Sequence, residues 1–127
     1  MHRRPDERGA AVADFALVSG LLALFFMAVV QLGLALHIRN TLVSCAAEGA
    51  RYGARLGSSP SAGAQRAREL ISRAVTARYA QAVTADVESV NGVRVVVVRV
   101  AAPLPVIGPL GPDRRLDVVG RAFLESQ

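Results

Sequence analysis

GAAVADFALVSGLLALFFMAVVQLGLAL, residues 9 to 36, is the stretch on which the reading of this chain turns. No residue from Phe15 to Leu36 is charged, and Ser19 and Gln31 are its polar side chains. At ~1.5 Å of rise per residue, a helix over this run covers ~30 Å of hydrocarbon. An element apolar on every side has no face for water, so it crosses a membrane or fills the centre of a large core. A chain of 127 residues offers no such core. The run therefore reads as a transmembrane helix. A removable secretory signal is the rival reading. Such apolar regions usually span only ~7–15 residues, and Gly33-Leu34-Ala35 is a weak cleavage match.

Ahead of the run lies a short charged leader, Met1 to Arg8 (MHRRPDER), expected to be disordered if it is not removed. Gly9 follows it, and Asp14 is the acid that borders the apolar segment. A carboxylate at the mouth of a membrane helix is costly to desolvate. One reading leaves Asp14 in the headgroup layer, where the helix dipole favours an anion by about 0.3–1 kcal/mol. The other is a processing signal similar to that of type IV pilins. In those, a membrane peptidase cleaves after glycine, and the acid at the fifth mature position pairs with the new N-terminus of a neighbouring subunit. Arg3, Arg4 and Arg8 cluster closer to the run than Arg39, Arg51 and Arg55 do on its far side. That asymmetry favours an N-terminus inside the cell. The chain then divides into a leader (1–9), a transmembrane helix (10–36) and an extracytoplasmic domain (37–127).

Helical spacing continues from Ile38 to Leu56 as an amphipathic stalk. Ala46, Gly49, Ala50 and Gly53 make one face of it small. Small residues allow close approach of another helix. The approaching element is either a partner subunit or this chain's own next helix or sheet. Gly57-Ser58-Ser59-Pro60 ends the helix, and Ser61 is a plausible N-cap for a second one from Ala62 to about Ala82. Its apolar positions follow i, i+3, i+4, i+7, with Arg66, Arg68, Glu69 and Arg73 outward and Glu69–Arg73 as an i, i+4 pair.

From Val83 the period drops to two. Asn91-Gly92 between two β-rich runs predicts a hairpin, because a type I′ turn needs positive φ at both positions. A two-residue turn sets Val90 opposite Val93, Val87 opposite Val96, Ala85 opposite Val98 and Val83 opposite Val100. The face of Val83, Ala85, Val87, Val96, Val98 and Val100 is expected to pack on the helices. The other carries Thr84, Asp86, Glu88, Val95, Val97 and Arg99, with Asp86 and Arg99 as diagonal neighbours. Pro103, Pro105, Pro109 and Pro112 mark an irregular connection. Leu116 to Phe123 reads as a third strand, and Leu124 to Gln127 is expected to fray. The fold class is α+β, with a small antiparallel sheet of about three strands.

The net charge of +5 is carried by arginine alone. Those arginines are scattered, and Trp is absent, so no basic and aromatic platform for nucleic acid is visible. Cys45 is the single cysteine and cannot form an internal disulfide. It reads as a small apolar residue on a helix face, with an intermolecular disulfide as the other reading. His2 and His37 are too few and too far apart for a metal site. No Ser/His/Asp grouping, Cys/His pair or phosphate loop appears. The expectation is a structural or assembly protein, not an enzyme, with no cofactor and no metal.

RGAAVADFALVSGLL (8–22), the apolar helix, CAAEGARYGAR (45–55) and the ending RAFLE (121–125) together resemble the TadE-like family. These are minor pseudopilins of the tight-adherence (Tad, or Flp) pilus system. The resemblance implies a pilin-like architecture and a single-pass protein of the cell membrane. It also implies the bilayer, a prepilin peptidase, and other pilins and assembly machinery as partners. By it, Gly9 precedes the cleaved bond, Ala10 becomes the N-terminus, and Asp14 is the fifth-position acid. The family's acid is usually Glu, and many members carry Pro where this chain has Ser19-Gly20.

Overall fold

The structure, a computed structural model, describes residues 5–103 and 115–125. The first helix, α1, runs Pro5–Ala54. It starts earlier than expected, so residues 5–8 of the leader are helical and not disordered. The cause is local. Proline at the first helical position has its φ preset and lacks an N–H that would be orphaned there anyway. Asp6 and Glu7 in the first turn complement the helix dipole. The chain divides into two units, Met1–Gly33 and Leu34–Gln127. In the first, α1 is the described element. Its side chains from Asp6 to Val30 are all exposed, on every side of the helix.

The second unit holds the rest of α1, a second helix α2 (Pro60–Ala74), a 3-10 turn (Ala77–Ala80) and three strands. These are β1 (Ala82–Val90), β2 (Val93–Pro103) and β3 (Arg115–Phe123). They form one antiparallel sheet in the order β1-β2-β3. The hairpin register is the expected one, from Val90 opposite Val93 down to Val83 opposite Val100. Asn91 and Gly92 supply the positive φ values, 53° and 81°. The inner face, with Val83, Val98, Val100, Ala102 and Val118, joins Ile38, Leu42, Cys45, Ala46 and Ala50 of α1 and Ala64, Ala67 and Ile71 of α2 in one core.

Several expectations are corrected. α2 begins at Pro60 and is capped by Ser59, not Ser61; the Ala62 N–H donates to Ser59 Oγ at 3.2 Å. It stops at Ala74, well short of Ala82, because Val75 leaves helical geometry at φ −125°, ψ −93°. Glu69 pairs with Arg66 at 3.6 Å and not with Arg73. Arg68 is not outward: its Nη2 donates to the Val83 carbonyl at 2.7 Å and ties α2 to β1. On the outer sheet face, Arg99 bonds Glu88 and not Asp86. That contact raises the Arg99 pKa further, with the Asp86 charge a lesser cause. Val95 and Val97 are buried although they share this face with charges. They lie on the central strand, where side chains of both neighbours cover them.

The C-terminal end is also held. The Leu124 N–H donates to the Arg94 carbonyl at 3.0 Å, and the Glu125 N–H to the Ala54 carbonyl at 2.9 Å. The Leu56 N–H donates to Glu125 Oε2 at 3.0 Å. Glu125 thus satisfies a carbonyl that the end of α1 would otherwise leave unpaired. The expected fraying is absent at Leu124 and Glu125. Pro103 is the last residue of β2, and the rest of the proline-rich connection lies outside the described residues.

Removing the Ser59 hydroxyl tests the α2 cap. Ser59→Ala is expected to cost about 1 kcal/mol. For a unit of this size that lowers the melting temperature by roughly 4–8 °C. Circular dichroism of the full chain in detergent reads the shift.

Candidate functional site

The residues singled out near the N-terminus all lie on α1. Gly9, Ala10 and Asp14 are exposed. Ala10 and Asp14 are four residues apart, so they stand one turn apart on the same helix face. No atom lies within 4 Å of where a Gly9 side chain would begin. The Gly9–Ala10 peptide is helical, and its carbonyl is tied into the backbone ladder. A hydrolase reaches such a bond only after the turn unwinds. Gly9 lowers that cost by about 1 kcal/mol relative to alanine, and among the described residues one turn of helix, 5–8, precedes it. A chain that binds a peptidase here has little helix to open.

Beyond Asp14 the helix is long and apolar enough to cross a membrane, and none of its most apolar window is buried. Phe15, Leu21, Leu24 and Met27 project on different sides and are all exposed. A ring of large apolar side chains without cover fits lipid and not water. The helix is thus a candidate single-pass membrane anchor. Gln31 is half-buried, and its Oε1 has no hydrogen-bond partner among the described residues.

Ala46, Gly49, Ala50 and Gly53 are buried inside the second unit. A Cβ on Gly49 would come within 2.7 Å of both Ala67 Cβ and the Gly63 carbonyl oxygen. One on Gly53 would stand 3.0 Å from the Ser59 carbonyl oxygen. A Cβ on Gly120 would overlap the backbone of Ala46 and Ala47. The small face therefore lets α2 and β3 of the same chain approach α1 at backbone distance. Of the two occupants weighed from sequence, the chain's own elements take it, and no free surface is left there for a partner.

Cys45 is buried in the same core, and desolvation pushes its thiol pKa up. A protonated, covered sulfur is a poor nucleophile. That overturns the intermolecular disulfide as a reading of the folded chain. The native protein is expected to leave Cys45 unmodified by a maleimide at pH 7, and to take up one equivalent once denatured. Intact mass reads both states.

Two surface features were not singled out from sequence. At the hairpin end of the sheet, Val90 (45% exposed), Val93 (47%) and Phe123 (75%) surround buried Val95 in an apolar cleft of about 360 Å³. The register carried this signal, since Phe123 sits opposite Val95. At the other end, Arg78, Gln81 and Arg115 line a polar cleft of about 260 Å³. No spacing in the sequence links Arg78 to Arg115, because only the sheet brings them together. No cluster of three or more His, Cys, Asp or Glu side chains able to hold a metal occurs among the described residues.

Residues 9–51 match the model of a family described as TadE-like protein. The match begins at Gly9 and takes in Asp14, the apolar run and the first part of the small-residue face. No curated protein and no solved structure matches the chain.

Proposed function

We propose, for a chain that is TadE-like over residues 9–51, that it is a membrane-anchored minor pseudopilin-like protein. It takes part in assembling a Tad/Flp-type pilus or a related secretion apparatus. The observation that carries this reading is the TadE-like match over residues 9–51, which starts at the glycine that this reading sets before the cleaved bond. The helix supports it, with an uncovered apolar cylinder headed by one acid.

In this reading the chain inserts N-terminus inside, with residues 37–127 outside. A prepilin peptidase cuts between Gly9 and Ala10. The new amino group of Ala10 and the carboxylate of Asp14 then lie on one face at the head of the helix. In a bundle of such helices, a desolvated carboxylate is costly unless it meets a cation. The free amino group of a neighbouring subunit supplies one, and the penalty for a mismatch sets the register between subunits. The chain has no catalytic part in this scheme.

The second reading is an unprocessed, signal-anchored envelope protein whose outer domain binds a partner. The helical leader from Pro5 favours it, because a scissile bond inside a helix must first unwind. The N-terminal residue of protein recovered from its native membrane decides between them. A mature chain that starts at Ala10 is the expected result. Retention of Met1 to Gly9 would establish the anchored, uncleaved form.

A further inference from the structure

We propose that the cleft between Arg78 and Arg115 binds the phosphate of an anionic phospholipid headgroup and so seats the second unit against its own bilayer. The placement follows from the fold of that unit alone. Gly120 of β3 lies on Ala46, and the Glu125 N–H reaches the Ala54 carbonyl, so β3 runs in the same direction as α1. Five strand residues back from Gly120 span ~17 Å, the rise of ~11 helical residues. That brings Arg115 level with the stretch from Leu34 to Ile38. Ile38 and Ala102 belong to the same core cluster, and Leu116 packs against it. Leu36 is where the apolar run ends. Within the second unit, the cleft therefore lies level with the stretch of α1 in which the apolar run ends.

Its chemistry suits a phosphate. The walls are the start of β1 at Ala82, the end of β2 at Ala102 and Pro103, and the side chains of Arg78, Gln81 and Arg115. The two guanidinium groups supply paired N–H donors and positive charge, and the Gln81 carboxamide adds two more donors. No acidic side chain lines the cleft among the described residues. Arg39, exposed on α1 three residues past Leu36, is a further positive charge near the end of the apolar run. The contrast with the opposite end is informative. There Arg51 sits 3.8 Å from Glu48, and Glu125 lines the same cleft as Arg51, Arg55 and Arg121. Acids share the far cleft with its basic groups, whereas among the described residues the nearest acid along β3 to Arg115 is Asp117, on the same strand face two residues on and outside the cleft lining.

This inference rests on α1 being a membrane anchor, which extraction of native membranes with alkaline carbonate tests by itself. The headgroup contact is tested on the full chain in mild detergent, by native mass spectrometry with added phosphatidylglycerol or phosphatidylcholine. Each arginine near an anionic surface contributes about 1 kcal/mol, or roughly fivefold. The wild-type chain is expected to retain phosphatidylglycerol about 25-fold better than Arg78→Ala/Arg115→Ala does, and better than it retains phosphatidylcholine. Arg51→Ala/Arg55→Ala, at the far end, is expected to keep the preference. Both cleft arginines are exposed, and Arg78→Gln/Arg115→Gln provides a second variant if the alanine pair melts early. Equal retention by wild type and the cleft variants overturns the proposal, as does equal retention of the two lipids. Displacement of the lipid by millimolar inorganic phosphate would assign the cleft to a free anion instead. A carbonate-resistant protein without lipid preference fails this inference and leaves the anchor standing.

Discussion

An Asp14→Ala chain is expected to reach the membrane in normal amounts and to leave no assembled filament. Insertion depends on the apolar length from Phe15 to Leu36, which the substitution leaves intact. Removing a carboxylate from the head of the helix also removes a desolvation cost, so insertion is not impaired. Assembly is different. If the amino group of Ala10 meets Asp14 of a neighbouring subunit inside a helical bundle, loss of the acid strands an unpaired cation there. Breaking a buried pair in this way costs about 3–5 kcal/mol at each contact. Repeated along a filament, that is enough to stop growth. Asp14→Glu keeps the charge and is expected to assemble, whereas Asp14→Asn keeps the shape without the charge and is not. The measurement compares the protein in the membrane fraction with that in the sheared surface fraction. Normal filaments from Asp14→Ala would remove the register role and leave the acid a headgroup-layer residue.

The second large effect is expected at Gly120. Its Cα faces the backbone of Ala46 and Ala47, with no room for even a methyl group. Both sides of the contact are backbone, in a helix and in a strand paired to the buried centre of the sheet, Val98. Neither can swing away as the end of a flexible side chain would. Gly120→Val should therefore force α1 off the sheet. Overpacking a core usually costs about 1–3 kcal/mol, and a clash against rigid backbone on both sides belongs at or above the top of that range. Against a typical total of about 5–15 kcal/mol, that removes roughly a fifth to three-fifths of the second unit's margin. The cooperative melting transition is expected to fall by more than 10 °C or to vanish, with the protein still in the membrane fraction. Gly20→Val is the control. It makes the same exchange on α1 with no atom within 4 Å, and is expected to leave the melt unchanged. A Gly120→Val chain that melts like the wild type would show that α1 does not rest on β3 there.

How far each feature was legible depends on the span of chain that decides it. The hairpin register was readable pair by pair, because a two-residue Asn91-Gly92 turn determines every partner above it. The end of α2 was misread by several residues, since Ala77 to Ala80 tighten into a 3-10 turn whose Tyr79 and Ala80 still pack on the core. Alanine-rich spacing does not distinguish these geometries. An isolated glycine inside the third strand was a visible signal of close backbone approach. Its partner on α1 was not visible, because more than seventy residues of sequence separate Gly120 from Ala46.

The sequence by itself determined the uncharged membrane-length run, the Gly9-Ala10 and Asp14 constellation at its head, the two-helix and three-strand content and the hairpin pairing. All of these rest on periodicity, turn chemistry or charge within a few neighbouring residues. Only the tertiary structure decided that Ala46, Gly49, Ala50 and Gly53 are filled by the chain's own α2 and β3, that Cys45 is covered, that Glu88 rather than Asp86 holds Arg99, and that Arg78 and Arg115 share a cleft. Those outcomes depend on which distant segments meet. A helix face, a strand face and an arginine each accept several partners of the right size or charge, and only packing three elements into one core selects among them.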